Sequence, residues 1–349
     1  MNKKIKHDEF NSPWQNLGRP LLIAEIGGNH EGSFSKAKEL LNLALGSEAD
    51  VVKFQIYYAD SLVSKTENPI RYNHFKKFEL TIDQHIELAK ICISKGKLYT
   101  ASIWDIDIIK LIDPYVRFYK IGSGDLTAFP IIEKIVELKK PIILSTGLSN
   151  MDEVLDTVKF IQNLNVDYKN PEMLCILQCT SMYPINYSDV NLNVMTKFKE
   201  ELGLSTGYSD HTIDLVALKI AANLGADVLE FHFTDDKSNE SFRDHKVSLT
   251  KSEVKSLKKF LDLSTKIKGD EIKKLMNIEL KNNHHVSFRR GIYLKKPIKK
   301  GGIIKRSNMI FLRPLLGTDA RFYKELDGSL ALKDINPLKA IYKNIDYKI

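Results

Sequence analysis

Two histidines in the second half of the chain interrupt otherwise regular patterns. His211 follows a polar turn, and His232 ends an apolar segment. Imidazole nitrogens bind divalent transition metals, and two of them leave coordination positions for water and a substrate. The pair therefore predicts a catalytic metal centre. As a structural alternative for His211, Ser209 or Asp210 would cap a helix that begins near Thr212.

Charged residues also interrupt apolar segments at a spacing of two. Lys53 and Gln55 lie in one such segment, and Glu230 and His232 lie in another. Side chains two positions apart on a strand point to the same face, so each pair shares a face. An unpaired buried lysine is costly, and we therefore interpret Lys53 as a functional residue rather than an exposed strand lysine.

Two loops rich in small residues, 120–125 and 145–147, follow two further apolar segments. Their backbone NH and hydroxyl groups can bind an oxyanion beside a lysine. Since Lys53 and Lys120 are expected nearby, these loops predict a pocket for a phosphate or a carboxylate.

The elements that must position these residues alternate between short apolar runs and amphipathic stretches from residue 21 to about residue 267. This alternation predicts β/α units, and eight of them close a TIM-type (β/α)8 barrel. Catalytic groups of such barrels lie at the carboxyl ends of the strands. The predicted strands are 21–25, 51–55, 98–102, 118–121, 142–145, 174–178, 205–208 and 228–232. The predicted helices include 35–45, 81–94, 151–162, 194–202 and 216–224.

Near the carboxyl end, the β/α alternation gives way to short apolar segments separated by turns. We predict a barrel domain over residues 1–267, a linker or exposed helix over 268–284, and a small, mostly β domain over 285–349. The short last domain has room for only a small core, and we expect it to lean on the barrel or on a partner subunit.

Composition excludes several classes of function. The net charge is +8, but the lysines are spread along the chain without an aromatic-interleaved basic stripe, which predicts no nucleic-acid partner. The chain has no run long and apolar enough to span a membrane, and its polar start lacks the core of a signal peptide, so we expect a cytoplasmic protein. Cys92, Cys175 and Cys179 match neither a disulfide framework nor a zinc site and predict buried thiols.

The sequence resembles those of the sialic acid synthase family, which includes the N-acetylneuraminate, legionaminate and pseudaminate synthases. Matching segments occur in the same order over essentially the whole chain. They are 23–32 (IAEIGGNHEG), 52–55 (VKFQ), 120–124 (KIGSG), 144–147 (LSTG), 179–184 (CTSMYP), 207–212 (GYSDHT), 230–234 (EFHFT), 244–249 (DHKVSL), 299–301 (KKG) and 313–314 (RP).

This resemblance implies condensation of phosphoenolpyruvate with an N-acyl hexosamine, such as N-acetylmannosamine or a diamino-dideoxy analogue. The products would be phosphate and a nine-carbon 2-keto sugar acid used in cell-surface polysaccharide. It also implies a divalent cation, for which we predict manganese, with magnesium and cobalt as alternatives. A C-terminal antifreeze-like (SAF) domain would be exchanged between the subunits of a homodimer.

The resemblance also implies roles for individual residues. His211 and His232 would be the metal ligands. The catalytic residues would be Glu25, Lys53, Gln55, Glu230 and Asp244. Phosphoenolpyruvate would contact Lys120, Ser123, Ser145 and Ser209, with Ser102 and Ser181 as further candidates. The sugar would contact Tyr183, Asp125 and Arg313, the last from the neighbouring subunit.

Three positions depart from the family pattern. Asp125 stands where glutamate is usual, Ser181 replaces a frequent asparagine, and Ser102 lies in a strand end that lacks the common threonine, proline and phenylalanine. These changes bear on the identity of the sugar. The competing hypotheses are a related barrel synthase that uses a shorter phosphorylated aldose, a Schiff-base lyase that uses Lys53 or Lys120, and a non-catalytic sugar-binding or ice-binding protein.

Overall fold

A computed structural model describes residues 12–238 and 242–349 and divides into two compact units, with the boundary between Gly269 and Asp270. The predicted polar start of the chain lies outside the described residues. In the described part of the first unit, eight parallel strands follow one another around a closed barrel in chain order. The predicted (β/α)8 fold is therefore confirmed. None of the helices in the described ranges is both long and apolar enough to cross a membrane.

Every predicted barrel strand is present, and the observed bounds differ from the predicted ones by at most two residues. The strands are β1 (Leu21–Glu25), β2 (Val51–Ile56), β3 (Leu98–Ile103), β4 (Tyr119–Ile121), β5 (Ile142–Ser145), β6 (Leu174–Cys179), β7 (Ser205–Asp210) and β8 (Val228–His232).

The helices of the first unit lie between the strands and after the last of them. They are α1 (Phe34–Leu45), α2 (Ala59–Leu62), α3 (Pro69–Phe78), α4 (Ile82–Ser94), α5 (Ile109–Ile112), α6 (Phe129–Val136), α7 (Met151–Leu164), α8 (Asn193–Leu202), α9 (Val216–Asn223), α10 (Asp244–Val247) and α11 (Lys251–Lys268). Capping boxes begin α4 at Thr81 and α7 at Asn150, where each cap side chain accepts a backbone NH.

The structural alternative for His211, in which Ser209 or Asp210 caps a helix that begins near Thr212, is not found, whereas the predicted helix 216–224 is present. β7 continues through Asp210, and the Asp210 carboxylate accepts the backbone NH of Thr212 at 2.8 Å, which forms a tight turn. The helix begins only at Val216, whose NH donates to the Asp214 side chain at 2.8 Å. The turn leaves His211 at the end of the strand instead of inside a helix.

Side chains alternate between two environments along each strand. Leu22 and Ala24 pack among the residues between strands and helices, whereas Leu21 and Ile23 belong to a separate apolar cluster in the barrel interior. Trp14 joins that interior cluster, its ring 6.2 Å from the Phe118 ring in an edge-on contact. The apolar cluster fills the amino-terminal half of the barrel, so the polar interior positions are left at the carboxyl end.

Gly207 lies on β7 at a point where the chain has no room for a side chain. A Cβ atom there would meet the backbone oxygen of Val228 at 2.3 Å and Cδ2 of Leu177 at 2.6 Å. We expect Gly207→Ala to lower the free energy of unfolding by about 3 kcal/mol or more, because it overpacks two neighbouring strands. Urea denaturation measures the change. Gly124→Ala is the control, since a Cβ at Gly124 meets nothing within 4 Å; equal losses in both variants would contradict this explanation.

The second unit contains two small antiparallel sheets. One pairs β9 (Gly291–Leu294) with β10 (Met309–Leu312), and the other pairs β11 (Leu330–Ala331) with β12 (Tyr347–Lys348). Its helices are α12 (Asn277–Lys281), α13 (His284–Ser287) and α14 (Tyr323–Leu326). Residues 270–284, predicted as a linker, are grouped with this unit, and all but one of them are exposed.

Candidate active site

The carboxyl end of the barrel interior is lined by charged and polar side chains that are almost fully buried. On β1, β2 and β8 they continue the inward-facing positions of Leu21, Val51 and Val228. Glu25 pairs in register with Lys53 on one side and with His232 on the other. The buried set comprises Glu25, Lys53, Lys120, Ser145, Ser209, Glu230 and His232.

Lys53 lies between two carboxylates. Its Nζ is in direct contact with Oε2 of Glu25, and Oε1 of Glu230 is 3.8 Å away. The other carboxylate oxygen of Glu25 accepts the backbone NH of Gly27 at 2.6 Å. Burial lowers the pKa of Lys53, and the nearby Lys120 lowers it further, whereas Glu230 acts in the opposite direction. The buried lysine thus has two acidic neighbours, but burial outweighs them and its pKa is lowered to about 7.

Lys120 shares Glu230 with Lys53. Its Nζ lies 3.5 Å from Oε1 of Glu230 and donates to Oγ of Ser145 at 2.7 Å. Ser209 donates to the same Glu230 oxygen at 3.3 Å. Burial raises the pKa of Glu230, but Lys120 and Lys53 outweigh this effect, so the pKa of this carboxyl is lowered overall. Glu230 therefore stays ionised and lies close to both lysine side chains.

The small-residue loops after β4 and β5 contact each other. The backbone NH of Gly147 donates to Oγ of Ser123 at 3.0 Å. A Cβ at Gly147 would lie 2.8 Å from that oxygen and 3.2 Å from Cβ of Ser181. The structure therefore brings Ser123 and Ser181 together around Gly147. Ser102 is joined to them through β3, where it pairs in register with Lys120.

The two histidines face each other across β7 and β8. Their ring centroids are 5.3 Å apart, and both side chains are buried. Tyr183 packs against this pair, with its ring centroid 4.0 Å from that of His211 and 5.5 Å from that of His232. The predicted proximity of the two imidazoles is therefore present in the structure.

Hydrogen bonding defines which nitrogen of His211 is available. Nδ1 lies 2.8 Å from the carbonyl oxygen of Thr180, which can only accept, so Nδ1 carries the proton and Nε2 keeps its lone pair. A metal-binding histidine is commonly oriented in this way. Burial lowers the pKa of His211 despite the opposing Thr180 bond. The imidazole is therefore neutral, which is the form that binds a metal ion.

His232 is buried with its Nδ1 lacking a hydrogen-bond partner, and Oδ2 of Asp244 lies 3.8 Å from that nitrogen. Burial lowers the pKa of His232 well below its usual range, and His211 lowers it further. Within residues 12–238 and 242–349, no cluster of three or more histidine, cysteine or acidic side chains is arranged to bind a metal ion. The pair fits a centre whose remaining ligands are water and substrate.

The remaining predicted residues lie in three places. Gln55 faces the loop after β1, since its Nε2 would be 3.5 Å from a Cβ at Gly27. Asp125 lies in the turn after β4, beside Gly122. Arg313 lies in the second unit, where its guanidinium group is 5.4 Å from the centre of the Phe288 ring. Its role at the active site of a neighbouring subunit stays a prediction.

Several contacts around the site were not predicted. Asn29 donates through Nδ2 to the Phe233 carbonyl at 2.9 Å and to Ser248 Oγ at 2.8 Å, and Ser248 donates to the Asp244 carbonyl at 2.7 Å. Asn29 thereby ties the loop after β1 to the turn that carries Asp244. Asn29 lies in the matching segment 23–32, but its partner Ser248 lies more than 200 residues away in the chain.

A parallel eight-stranded barrel with buried ionic side chains and paired histidines at the carboxyl ends of its strands has the architecture of a barrel enzyme. Comparisons with known proteins identify the type. Residues 40–273 match the NeuB family. The chain is 35% identical over 331 residues to an N,N'-diacetyllegionaminic acid synthase of Campylobacter jejuni, covering 91% of this chain and 97% of that protein.

It is also 31% identical to a human N-acetylneuraminate-9-phosphate synthase, over 81% of this chain and 80% of that protein. Among solved structures, a putative spore coat polysaccharide biosynthesis protein E from Chromobacterium violaceum superposes with a TM-score of 0.78. The overlap covers 95% of this chain and 100% of that one at 20% identity, which supports the fold alone. This chain belongs to the NeuB family.

Proposed function

We propose that this protein condenses phosphoenolpyruvate with an N-acyl hexosamine to give a nine-carbon 2-keto sugar acid and phosphate. The observation that carries the proposal is the arrangement of Lys53 and Lys120 around Glu230, next to the neutral pair His211 and His232. The two lysines are suited to binding an anion. The two histidines are suited to holding a cation that polarises an aldehyde. The names of the synthases among the relatives support the same reaction.

The anion-binding half is built from cations and hydroxyl groups. Lys120 and Ser145 form one polar edge, and Ser123 with the Gly147 NH forms another. Ammonium, hydroxyl and amide groups of this kind bind phosphate and carboxylate oxygens. In the proposed reaction they hold phosphoenolpyruvate, and the lysines stabilise the phosphate as it leaves.

The histidine half fits a divalent cation. Nε2 of His211 has a free lone pair, and Nδ1 of His232 is buried without a hydrogen-bond partner. Such a cation would supply Lewis acidity toward the aldehyde of the open-chain sugar. We propose manganese as the ion that these residues bind. Tyr183, packed on both imidazoles, orients the sugar so that its aldehyde carbon faces C3 of phosphoenolpyruvate.

A carboxyl group whose pKa lies near neutral pH is well suited to transfer protons. Lys120 and Lys53 lower the pKa of Glu230, which keeps it ionised, and Glu25 contacts Lys53. Burial raises the pKa of Asp125 to about 6, although Lys120 opposes the rise. Asp125 also lies on the side of Ser102, since a Cβ at Gly122 would be 3.8 Å from its Oδ2 and 3.9 Å from Oγ of Ser102. We propose that Asp125 accepts the proton of the water that adds to C2 of phosphoenolpyruvate, in place of the sugar contact that the resemblance implies, while Glu25 and Glu230 position the lysines.

This assignment of Asp125 predicts a pH effect on activity. Because the base must be ionised, the rate of phosphate release should fall as the pH drops below about 6, where the pKa of Asp125 lies. In Asp125→Asn the rate should be low and this limb of the pH profile should disappear. Steady-state phosphate release between pH 5 and about pH 8 measures both effects. An unchanged acid limb in the variant would contradict the assignment.

The same carboxyl group predicts a pH effect on stability. The unfolded chain loses this proton near pH 4 and the folded chain near pH 6, so the group destabilises the fold increasingly over that interval and fully above it. We expect Asp125→Asn to raise the free energy of unfolding at pH 7.5 by no more than about 3 kcal/mol, with no gain at pH 4. Urea denaturation at the two pH values checks this.

The proposed function is tested by incubating the full chain with phosphoenolpyruvate, Mn²⁺ and a panel of N-acyl hexosamines, and by following phosphate and the mass of the product. Phosphate release that depends on both the sugar and the metal is expected. Release that persists after chelation, or no release with any sugar, would count against the proposal. Preferential turnover of arabinose 5-phosphate or erythrose 4-phosphate would favour the shorter-sugar synthase instead.

We also propose that residues 285–349 form an antifreeze-like domain and that Arg313 of this domain completes the site of a second subunit in a homodimer. The basis is the resemblance of the tail and the lack of any acidic partner for Arg313 among the described residues. Sedimentation analysis tests the dimer. Mixing an Arg313→Ala chain with a Lys120→Met chain should restore one working site per mixed dimer.

A further inference from the structure

Arg243 lies in the loop after β8, directly before Asp244. Its Nε donates to Oδ1 of Asp244 at 3.3 Å, and its guanidinium carbon is 4.9 Å from the centre of the Tyr183 ring. The side chain is 67% exposed. In the part of the chain that the structure describes, its terminal nitrogens have no hydrogen-bond acceptor. A planar group with free donors is thus held over an aromatic ring at the mouth of the barrel.

The position of Arg243 places it on the sugar side of the site. Tyr183, on which it stacks, packs against His211 and His232. The phosphoenolpyruvate side, by contrast, is built around Lys120. A ligand group that reaches Arg243 therefore belongs to the acceptor.

The rim of the site around Arg243 is positively charged. Burial lowers the pKa of His74 on α3, and Arg243, Lys77 and Arg71 each lower it further, which places all three cations near one imidazole. The two segments are joined by Phe242, whose ring stacks on His74 with centroids 5.8 Å apart. The loop after β8 and α3 thus present their cations on the same side of the entrance.

We propose that Arg243 binds an oxyanion carried by the sugar acceptor, as a phosphate ester or a carboxylate. This inference rests on the proposed function and extends it by naming a charged class of acceptor. A guanidinium fork matches the paired oxygens of phosphate and carboxylate, and it loses little freedom on binding when stacking already orients it. Lys77 and Arg71 add to the positive electrostatic potential around Arg243, but they lie on α3 and not beside Tyr183.

The test compares three acceptors with the full chain: N-acetylmannosamine, its 6-phosphate, and N-acetylmannosaminuronic acid. The readout is kcat/KM for each anionic acceptor divided by kcat/KM for the neutral one. For the wild type we expect this ratio to be about tenfold to a hundredfold, because charge-assisted hydrogen bonds strengthen binding of the anionic acceptor. The 6-phosphate and the uronic acid separate a phosphate subsite from a carboxylate subsite.

Three variants locate the effect. Arg243→Gln should bring the ratio close to one without changing KM for phosphoenolpyruvate, and Arg243→Lys should keep part of the preference. Lys76→Gln removes a like charge from α3 whose partners are Glu79 at 2.7 Å and Asp60 at 3.2 Å, and it should keep the wild-type ratio. Circular dichroism confirms that each variant is folded.

The inference is overturned if neither anionic acceptor is preferred by the wild type, or if Arg243→Gln keeps the preference. Turnover of the neutral acceptor alone would overturn this inference and leave the proposed function standing. Absence of phosphate release with all three acceptors and with the wider panel would overturn both.

Discussion

Replacing His211 or His232 by glutamine is expected to reduce phosphate release from phosphoenolpyruvate by at least about a thousandfold, because the loss of Lewis acidity raises the barrier by several kcal/mol. The side chains form a neutral pair with ring centroids 5.3 Å apart, and each offers a nitrogen that no protein group occupies. Glutamine keeps a polar side chain of similar length, so the barrel should remain folded.

Metal binding provides a second readout for this prediction. Calorimetric titration with Mn²⁺ should show binding to the wild type and a large loss of affinity in either variant. His284→Gln is the matched control, since His284 is exposed in the second unit, and it should behave as the wild type in both measurements. Full activity in either barrel variant would refute the assignment of the histidine pair.

Replacing Lys120 by methionine is expected to lower kcat/KM for phosphoenolpyruvate by about a thousandfold. Lys120 is buried, donates to Ser145 at 2.7 Å and lies 3.5 Å from Glu230. Methionine fills the same space without charge, so the variant loses the ion that faces the substrate anion. It also leaves Glu230 with one lysine instead of two. Removing a preorganised donor of this kind lowers the catalytic rate by about a hundredfold to a thousandfold by itself.

Steady-state kinetics with phosphoenolpyruvate as the varied substrate tests this prediction. Lys134→Met is the control, because Lys134 is an exposed lysine paired with Glu137 on α6. Its kinetic constants should equal those of the wild type. If Lys120→Met raised only KM for the sugar and left phosphoenolpyruvate kinetics unchanged, Lys120 would belong to the other half of the site.

The barrel and its inward-facing residues could be predicted because strand periodicity is a local property. The spacing of Lys53 and Gln55 alone predicts that they share one face, and the alternation of interior and exterior residues in β2 agrees with this. The contact of Lys53 with Glu25 could not be predicted in the same way. It depends on the register between neighbouring strands, which closure of the whole barrel determines.

The choice between a helix cap and a turn at residues 209–212 could not be made from the sequence for a related reason. A short polar segment such as Ser209-Asp210-His211-Thr212 is compatible with a helix cap and with a turn after a strand. The pairing of Asp210 with Phe231 of β8 selects the second arrangement, and that pairing involves a strand about 20 residues away. Backbone acceptors such as the Thr180 carbonyl beside His211 leave no trace in residue types at all.

The shared carboxylate of Glu230 has a consequence for how substrates arrive. Two lysines and two glutamates are gathered there: Lys53 contacts Glu25, and one oxygen of Glu230 lies 3.8 Å from Lys53 and 3.5 Å from Lys120, so their formal charges balance. Beyond a Debye length of about 8 Å such a balanced group exerts little attraction. The interior of the barrel therefore does not draw anions from solution. The attraction that phosphoenolpyruvate feels at a distance then comes from cations outside this group, which are the three at the rim, Arg243, Lys77 and Arg71, and the surplus of +8 on the whole chain, and salt screens it.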